Sequence, residues 1–138
     1  MSERPSDGRF PVSIKAVLVH DDRVVLLRND RQEWELPGGR LEAGEAPEEC
    51  LAREIAEELG ASARIGPILD CWVYPVLPGR PVVIVTYGAT LPTADGLAHG
   101  DEHSDLLLAP VDAIDGLAMP EGYRRSIRRW WQRLTDAE

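Results

Sequence analysis

Between Gly39 and Ala61 the chain reads GRLEAGEAPEECLAREIAEELGA, and this segment constrains the fold more than any other. Its pattern is helical from Pro47 to Leu59. It sets Glu54, Glu57 and Glu58 at offsets of three and four, which share one face of a helix. Each like-charge pair costs about 0.2–0.5 kcal/mol unless a cation answers it. Fully charged oxygen donors suit a hard divalent ion, Mg2+ first and Mn2+ second, far better than zinc. Just upstream, Leu36-Pro37-Gly38-Gly39 reads as a tight turn whose glycines let a ligand approach bare backbone. Pro47 suits the first helical position, Glu48 and Glu49 the positive end of the helix dipole, and Gly60 the stop. Leu51, Ala52, Ile55 and Leu59 form an apolar stripe with the three carboxylates on its flank.

The same residues match a named pattern. Gly39, five residues, Glu45, seven residues, Arg53-Glu54-Ile55, one residue, Glu57-Glu58, one residue and Gly60 resemble the Nudix box at every fixed position, with the small Ala61 at the closing apolar position. A solvated acidic helix face accounts for a Glu-rich helix, but not for the glycine loop and Arg53 at matched spacing. The resemblance implies a hydrolase of a nucleoside diphosphate linked to another moiety. It assigns Glu54, Glu57 and Glu58 as metal ligands, Glu57 and Glu58 also as catalytic residues. Glu45 and Arg53 correspond to an ion pair that holds the loop onto the helix, and Gly38 and Gly39 to the turn beside the metal–phosphate assembly. Outside the box, Glu102-His103-Ser104-Asp105-Leu106 looks like the loop–strand junction where many Nudix enzymes place a catalytic or metal-binding glutamate. Glu102 is therefore expected in both roles, with Asp101 and His103 close enough to take its place; a solvated loop is the plainer alternative.

The rest of the chain fits an α/β layered domain. Residues 1–10 read as a flexible polar tail, and 11–138 as a single Nudix domain. Val12–His20 and Arg23–Arg28 suggest a hairpin across Asp21-Asp22, and Trp34–Leu36 a short strand. Ile65–Val76 and Pro81–Leu91 read as strands joined at Pro78-Gly79; a polar stretch from Pro92 to Asp105 precedes the apolar Leu106-Leu107-Leu108. A last helix from Pro120 to Thr135 carries a stripe of Tyr123, Ile127, Trp130, Trp131 and Leu134. This order resembles the Nudix α/β/α sandwich around a central mixed β-sheet.

A net charge of −9 argues against binding a nucleic acid polymer, but not against a small phosphorylated substrate, because bound metal ions invert the local field. Arg124, Arg125, Arg128, Arg129 and Arg133 fall largely opposite the apolar stripe of the last helix and read as a solvated face. No apolar run is long enough for a membrane span and no signal-peptide pattern opens the chain, so a cytoplasmic location is expected. Cys50 and Cys71 lack metal-type spacing and read as buried thiols; His20 and His99 read as surface or turn residues. Trp34, Trp72, Tyr74 and Tyr87 are candidates for stacking on a base, and Arg28, Arg31 and Arg80 for phosphates; Arg28 and Trp34 stand first as substrate-binding residues. Modified or surplus nucleoside triphosphates are the favoured substrates, with ADP-ribose or a nucleotide sugar as the alternative. Pro75 and Pro78 fall near the proline of some ADP-ribose-cleaving members without deciding between them. A non-catalytic nucleotide sensor is the reading from another class, and the intact charged positions of the box favour catalysis. Many Nudix enzymes are dimers, so a homodimer is compatible with the resemblance, although no interface motif stands out.

Overall fold

Val12–His20 has apolar side chains on both faces, which is the mark of a strand buried on both sides. In the computed structural model, which describes residues 9–77 and 79–137, it is the central strand β1. β2 (Arg23–Arg28) returns antiparallel across Asp21-Asp22, with Asp21 at φ 55°. β3 (Trp34–Glu35) and β4 (Gly38–Arg40) follow, then α1 (Pro47–Leu59), β5 (Arg64–Leu77), β6 (Arg80–Thr90), β7 (Asp105–Pro110), a 3-10 turn (Val111–Gly116) and α2 (Glu121–Asp136). The sheet order is β3-β2-β1-β6-β5, with β4 on β1 and β7 on β2. β1 and β6 run parallel and the other pairs antiparallel, so the sheet is mixed.

One helix covers each face. On one side Cys50, Leu51, Ile55 and Leu59 of α1 pack with Ile14, Leu18, Val25, Leu27 and Tyr87. On the other, Tyr123, Ile127 and Trp130 of α2 pack with Val17, Val24, Leu26, Leu69 and Ile84. Each fully buried Leu, Ile or Val contributes about 1.5–3 kcal/mol. Two glycines admit the largest rings: a Cβ on Gly88 would lie 2.4 Å from Trp130, and one on Gly122 would lie 2.3 Å from Trp72. The Trp130 indole N–H donates to the Ala89 carbonyl at 3.0 Å, and Thr86 and Ser126 share a buried hydrogen bond of 2.8 Å.

Several expectations need correction. Ala52 is exposed and Cys50 takes its place in the buried stripe, because the face set by Leu51, Ile55 and Leu59 is completed by residue 50. Cys71 is exposed, on the outward face of the edge strand β5 beside Val73. Gly38 and Gly39 lie in a strand, β4, rather than in a free turn, since β1 supplies the pairing that glycine propensity does not. Residues 1–8 of the expected tail, and Pro78 of the expected turn, lie outside the described residues; Gly79 has φ 74°. Much of the α2 arginine run is answered by acids: Arg124 and Arg128 pair with Glu121, Arg125 and Arg129 with Asp70, and Arg128 also with Asp115. No helix among the described residues is long and apolar enough to cross a membrane.

Candidate active site

The edge of β1 that faces away from β6 is shared by two partners. β4 pairs with Ser13–Lys15 and β2 with Val19–His20, so β2 and β4 diverge along it. A cavity of roughly 690 Å3 opens among these segments. Its floor includes Ser13 and Lys15 of β1, the β2–β3 loop at residues 29–31, and Glu35 of β3; its walls are β4, the outer flank of α1, and residues 100–103 before β7. Glu54, Glu57 and Glu58 all line it.

The glycine pair brings α1 close to the backbone. Gly38 has φ 140°, and a Cβ there would lie 2.0 Å from the Ile14 carbonyl oxygen, so only glycine fits. Its N–H donates to Glu58 Oε1 at 2.9 Å. A Cβ on Gly39 would lie 2.5 Å from the Glu54 carboxyl group. Arg53 ties the loop to the helix: Nε and Nη2 donate to the two Glu45 oxygens at 2.7 and 3.1 Å, and Nη1 donates to Glu54 at 3.0 Å and Glu57 at 3.4 Å. The Arg53 hydrogen bond holds the Glu45 carboxyl at a pKa of about 2, and the same bond raises that of the guanidinium.

The three carboxylates differ in their surroundings. The Glu57 side chain is 61% exposed, whereas Glu58 is 9% exposed. Burial pushes the Glu58 carboxyl up, against the Gly38 N–H and the charges of Lys15 and His103, while Glu54 adds to the rise. Opposite Glu58, His103 Nε2 meets Glu35 Oε2 at 2.8 Å; Glu35 Oε1 accepts from the Asn29 amide at 3.1 Å, and Lys15 Nζ lies 3.9 Å from Glu35. Burial works to raise the Glu35 carboxyl, but the His103 hydrogen bond, the Lys15 charge and the Asn29 amide outweigh it and hold it at about 2. His103 moves the other way, raised by its hydrogen bond to Glu35.

Glu102 and Asp101 are exposed at the cavity wall, while their neighbour His103 is buried. Arg31 lines the cavity, but Arg28 and Trp34 do not: the Arg28 guanidinium lies 5.7 Å from the centre of the Trp34 ring, which packs against the α2-side core. Tyr87 is buried under α1, and Trp72 and Tyr74 pack with the α2-side core, so none of the candidate stacking rings lines the cavity. Several lining residues carried no expectation, Lys15, Asn29 and Glu35 among them. Lys15 had a signal, being the only lysine of the sequence and set in an apolar strand. Asn29 and Glu35 had none, because only the pairing of β2 with β3 and β7 brings them to His103. No three His, Cys, Asp or Glu side chains among the described residues converge into a ready-made ion site: Glu54 and Glu57 lean on Arg53, and Glu58 on Gly38.

The comparisons with known proteins agree with this architecture. The NUDIX domain family profile matches residues 9–131. An 8-oxo-(d)GTP phosphatase of Mycolicibacterium smegmatis is 32% identical over 99% of the chain, which spans 40% of that protein's length. A CTP pyrophosphohydrolase of Escherichia coli is 28% identical over 73% of the chain and 77% of its own length. Among solved structures, the MutT protein of Methanosarcina mazei superposes over 97% of this chain and 99% of its own, with a TM-score of 0.79 at 23% identity, which supports the fold. With its box folded as a glycine strand against a glutamate helix, and the profile matched over most of its length, the chain belongs to the NUDIX domain family.

Proposed function

We propose that this chain hydrolyses a pyrophosphate bond in a nucleoside diphosphate linked to another moiety. Nucleoside triphosphates, canonical or modified, are the favoured substrates, and Mg2+ or Mn2+ is the cofactor. The observation that carries the reading is one cavity lined by the acidic flank of Glu54, Glu57 and Glu58, by the Gly38-Gly39 backbone, and by the cations Lys15 and Arg31. The donors of that flank are carboxylate oxygens only, the set a hard divalent ion takes. The Glu58 side chain is 9% exposed, held by the Gly38 N–H at 2.9 Å with His103 3.9 Å away, so one carboxylate of the flank is already fixed and mostly out of solvent. Glu54, Glu57 and Glu58, with Glu102 from the loop before β7, would hold the ion, Glu54 and Glu57 trading the Arg53 guanidinium for it.

Bound divalent ions supply neutralisation of phosphate charge and acidify water. Lys15 and Arg31 bind phosphate oxygens, and the bare backbone of β4 lets the chain of phosphates lie close. Glu57, Glu58 and Glu102 are the carboxylates available to take a proton from the attacking water. The names of the M. smegmatis and E. coli relatives support a triphosphate over ADP-ribose or a nucleotide sugar. A net charge of −9 supports a small nucleotide over a nucleic acid polymer.

The test is chromatographic product analysis with Mg2+ over canonical and oxidised nucleoside triphosphates, ADP-ribose, nucleotide sugars and dinucleoside polyphosphates. A nucleoside monophosphate plus pyrophosphate is expected from the triphosphates. Glu58→Gln is expected to lower kcat by at least about a hundredfold while keeping the fold, since its amide oxygen still accepts the Gly38 N–H. AMP plus ribose phosphate would move the substrate to ADP-ribose. Binding of a panel compound without turnover would make the domain a sensor.

A further inference from the structure

The His103 side chain is 6% exposed, and its ring is held at one end only. Nε2 meets Glu35 at 2.8 Å, whereas Nδ1 is buried without a hydrogen-bond partner. Buried polar atoms are nearly always partnered, so such an atom calls for an explanation. The carboxylate across from it is Glu58, whose Oε2 lies 3.9 Å from Nδ1. That is about 1 Å beyond a charge-assisted hydrogen bond. Oε1 of the same carboxylate is already pinned by the Gly38 N–H at 2.9 Å, so a pivot about that contact closes the gap. The imidazole itself is not free to swing. Glu35, which grips it, is in turn gripped by Asn29 at 3.1 Å and faces Lys15 at 3.9 Å.

We propose that His103 is a positioning residue: with its Nε2–H donating to Glu35, its Nδ1–H donates to Oε2 of Glu58 and fixes that carboxylate in the orientation that receives a divalent ion. The inference rests on the reading of Glu58 as a metal ligand, and gives the loop before β7 a task distinct from that of Glu102. Partners that orient a metal ligand from behind typically account for about 10–100-fold in metal affinity. A plainer role exists for the same residue, as a staple that fastens residues 100–105 to β3. The two roles separate by substitution. Gln presents its amide near the position of Nε2, keeping the Glu35 contact and losing reach to Glu58. Asn presents its amide near the position of Nδ1, keeping reach to Glu58 and losing Glu35.

The experiment is a titration of the substrate-free protein with Mn2+, read by electron paramagnetic resonance, with thermal melts of the metal-free proteins alongside. Wild type, His103→Gln, His103→Asn and Glu58→Gln are compared. We expect His103→Gln to bind Mn2+ about tenfold more weakly than wild type at an unchanged Tm, His103→Asn, which keeps the reach but not the brace, to recover part of that loss, and Glu58→Gln to lose the site. Wild-type affinity in His103→Gln, with binding lost in Glu58→Gln, overturns the proposal and leaves the metal site standing. Equal loss of affinity in both histidine variants, together with a lowered Tm, also overturns it in favour of the staple. Absence of Mn2+ binding by the wild type overturns the metal-site reading and the proposal with it.

Discussion

Replacing either glycine of the Gly38-Gly39 pair by alanine adds one methyl group, and the two additions meet different obstacles. At Gly38 the methyl would press on the Ile14 backbone from 2.0 Å in a conformation that L residues rarely adopt. Backbone of the central strand cannot step aside, so Gly38→Ala should cost at least about 1–3 kcal/mol in a urea melt. At Gly39 the obstacle is the Glu54 carboxyl at 2.5 Å, the far end of a flexible side chain. Gly39→Ala should therefore keep most of the stability while raising the Mg2+ concentration needed for half-maximal turnover. Equal losses of stability in the two variants would contradict this division. Among single residues, the box glutamates Glu54, Glu57 and Glu58 fall on the cavity, whereas the substrate candidates Arg28 and Trp34 do not. The resemblance implied the pair of Glu45 with Arg53, and helical spacing implied the three glutamates on one flank, all within 14 residues. Lys15, Asn29 and Glu35 did not, because what gathers them is strand pairing rather than spacing.

Elements repeat the theme that neighbours decide the sign of an effect. Gly122 stands in the first turn of α2, where helix propensity favours alanine over glycine by up to about 1 kcal/mol. Yet a Cβ there would lie 2.3 Å from the Trp72 ring, itself packed edge-on against Tyr123 with centroids 5.3 Å apart. Gly122→Ala should accordingly destabilise the protein, by about 1–3 kcal/mol in a urea melt, and a gain in stability would show that the ring moves freely. The same helix is clasped to β5 by Arg125 and Arg129 on Asp70. Burial works to raise the Asp70 carboxyl, but Arg125, the Cys71 N–H and Arg129 together lower it below its ordinary 3.8. A carboxyl lowered in the folded state stabilises fully above its unfolded pKa, and the contribution fades as pH falls through the lower folded value. Asp70→Asn should thus lower stability by about 1 kcal/mol near neutrality. The difference from wild type should shrink as pH falls below the unfolded pKa and vanish only below the lower folded one; a gap that does not shrink between neutrality and pH 2 would assign the effect to packing. Most elements were legible from alternation and from the Pro47 and Gly60 boundaries. The exceptions were β4, whose glycines have no strand propensity of their own, and the 3-10 turn at Val111–Gly116, too short for a periodic signal.

Across the whole molecule, spacing alone does not show distant segments meeting; the resemblance is what brought Glu102 to the box, and its loop does line the same cavity. The loop before β7 reaches the cavity because β7 zips onto β2 from Arg23↔Pro110 to Arg28↔Asp105 and the Ser104 N–H caps the ladder on the Arg28 carbonyl at 3.1 Å. The glutamate wall, by contrast, is built from near neighbours: Gly38 and Glu58 are 20 residues apart, and Glu45 and Arg53 only 8. His103 and Glu35 are 68 apart. Closing a longer loop costs more chain entropy, so short-range contacts form first during folding. Pulsed hydrogen exchange during refolding should protect the amides of α1 before that of Ser104, and simultaneous protection would refute the order. The acidic half of the cavity is then in place before the histidine that faces it, and the refolding chain passes through a stage in which charge has been gathered but not yet aimed.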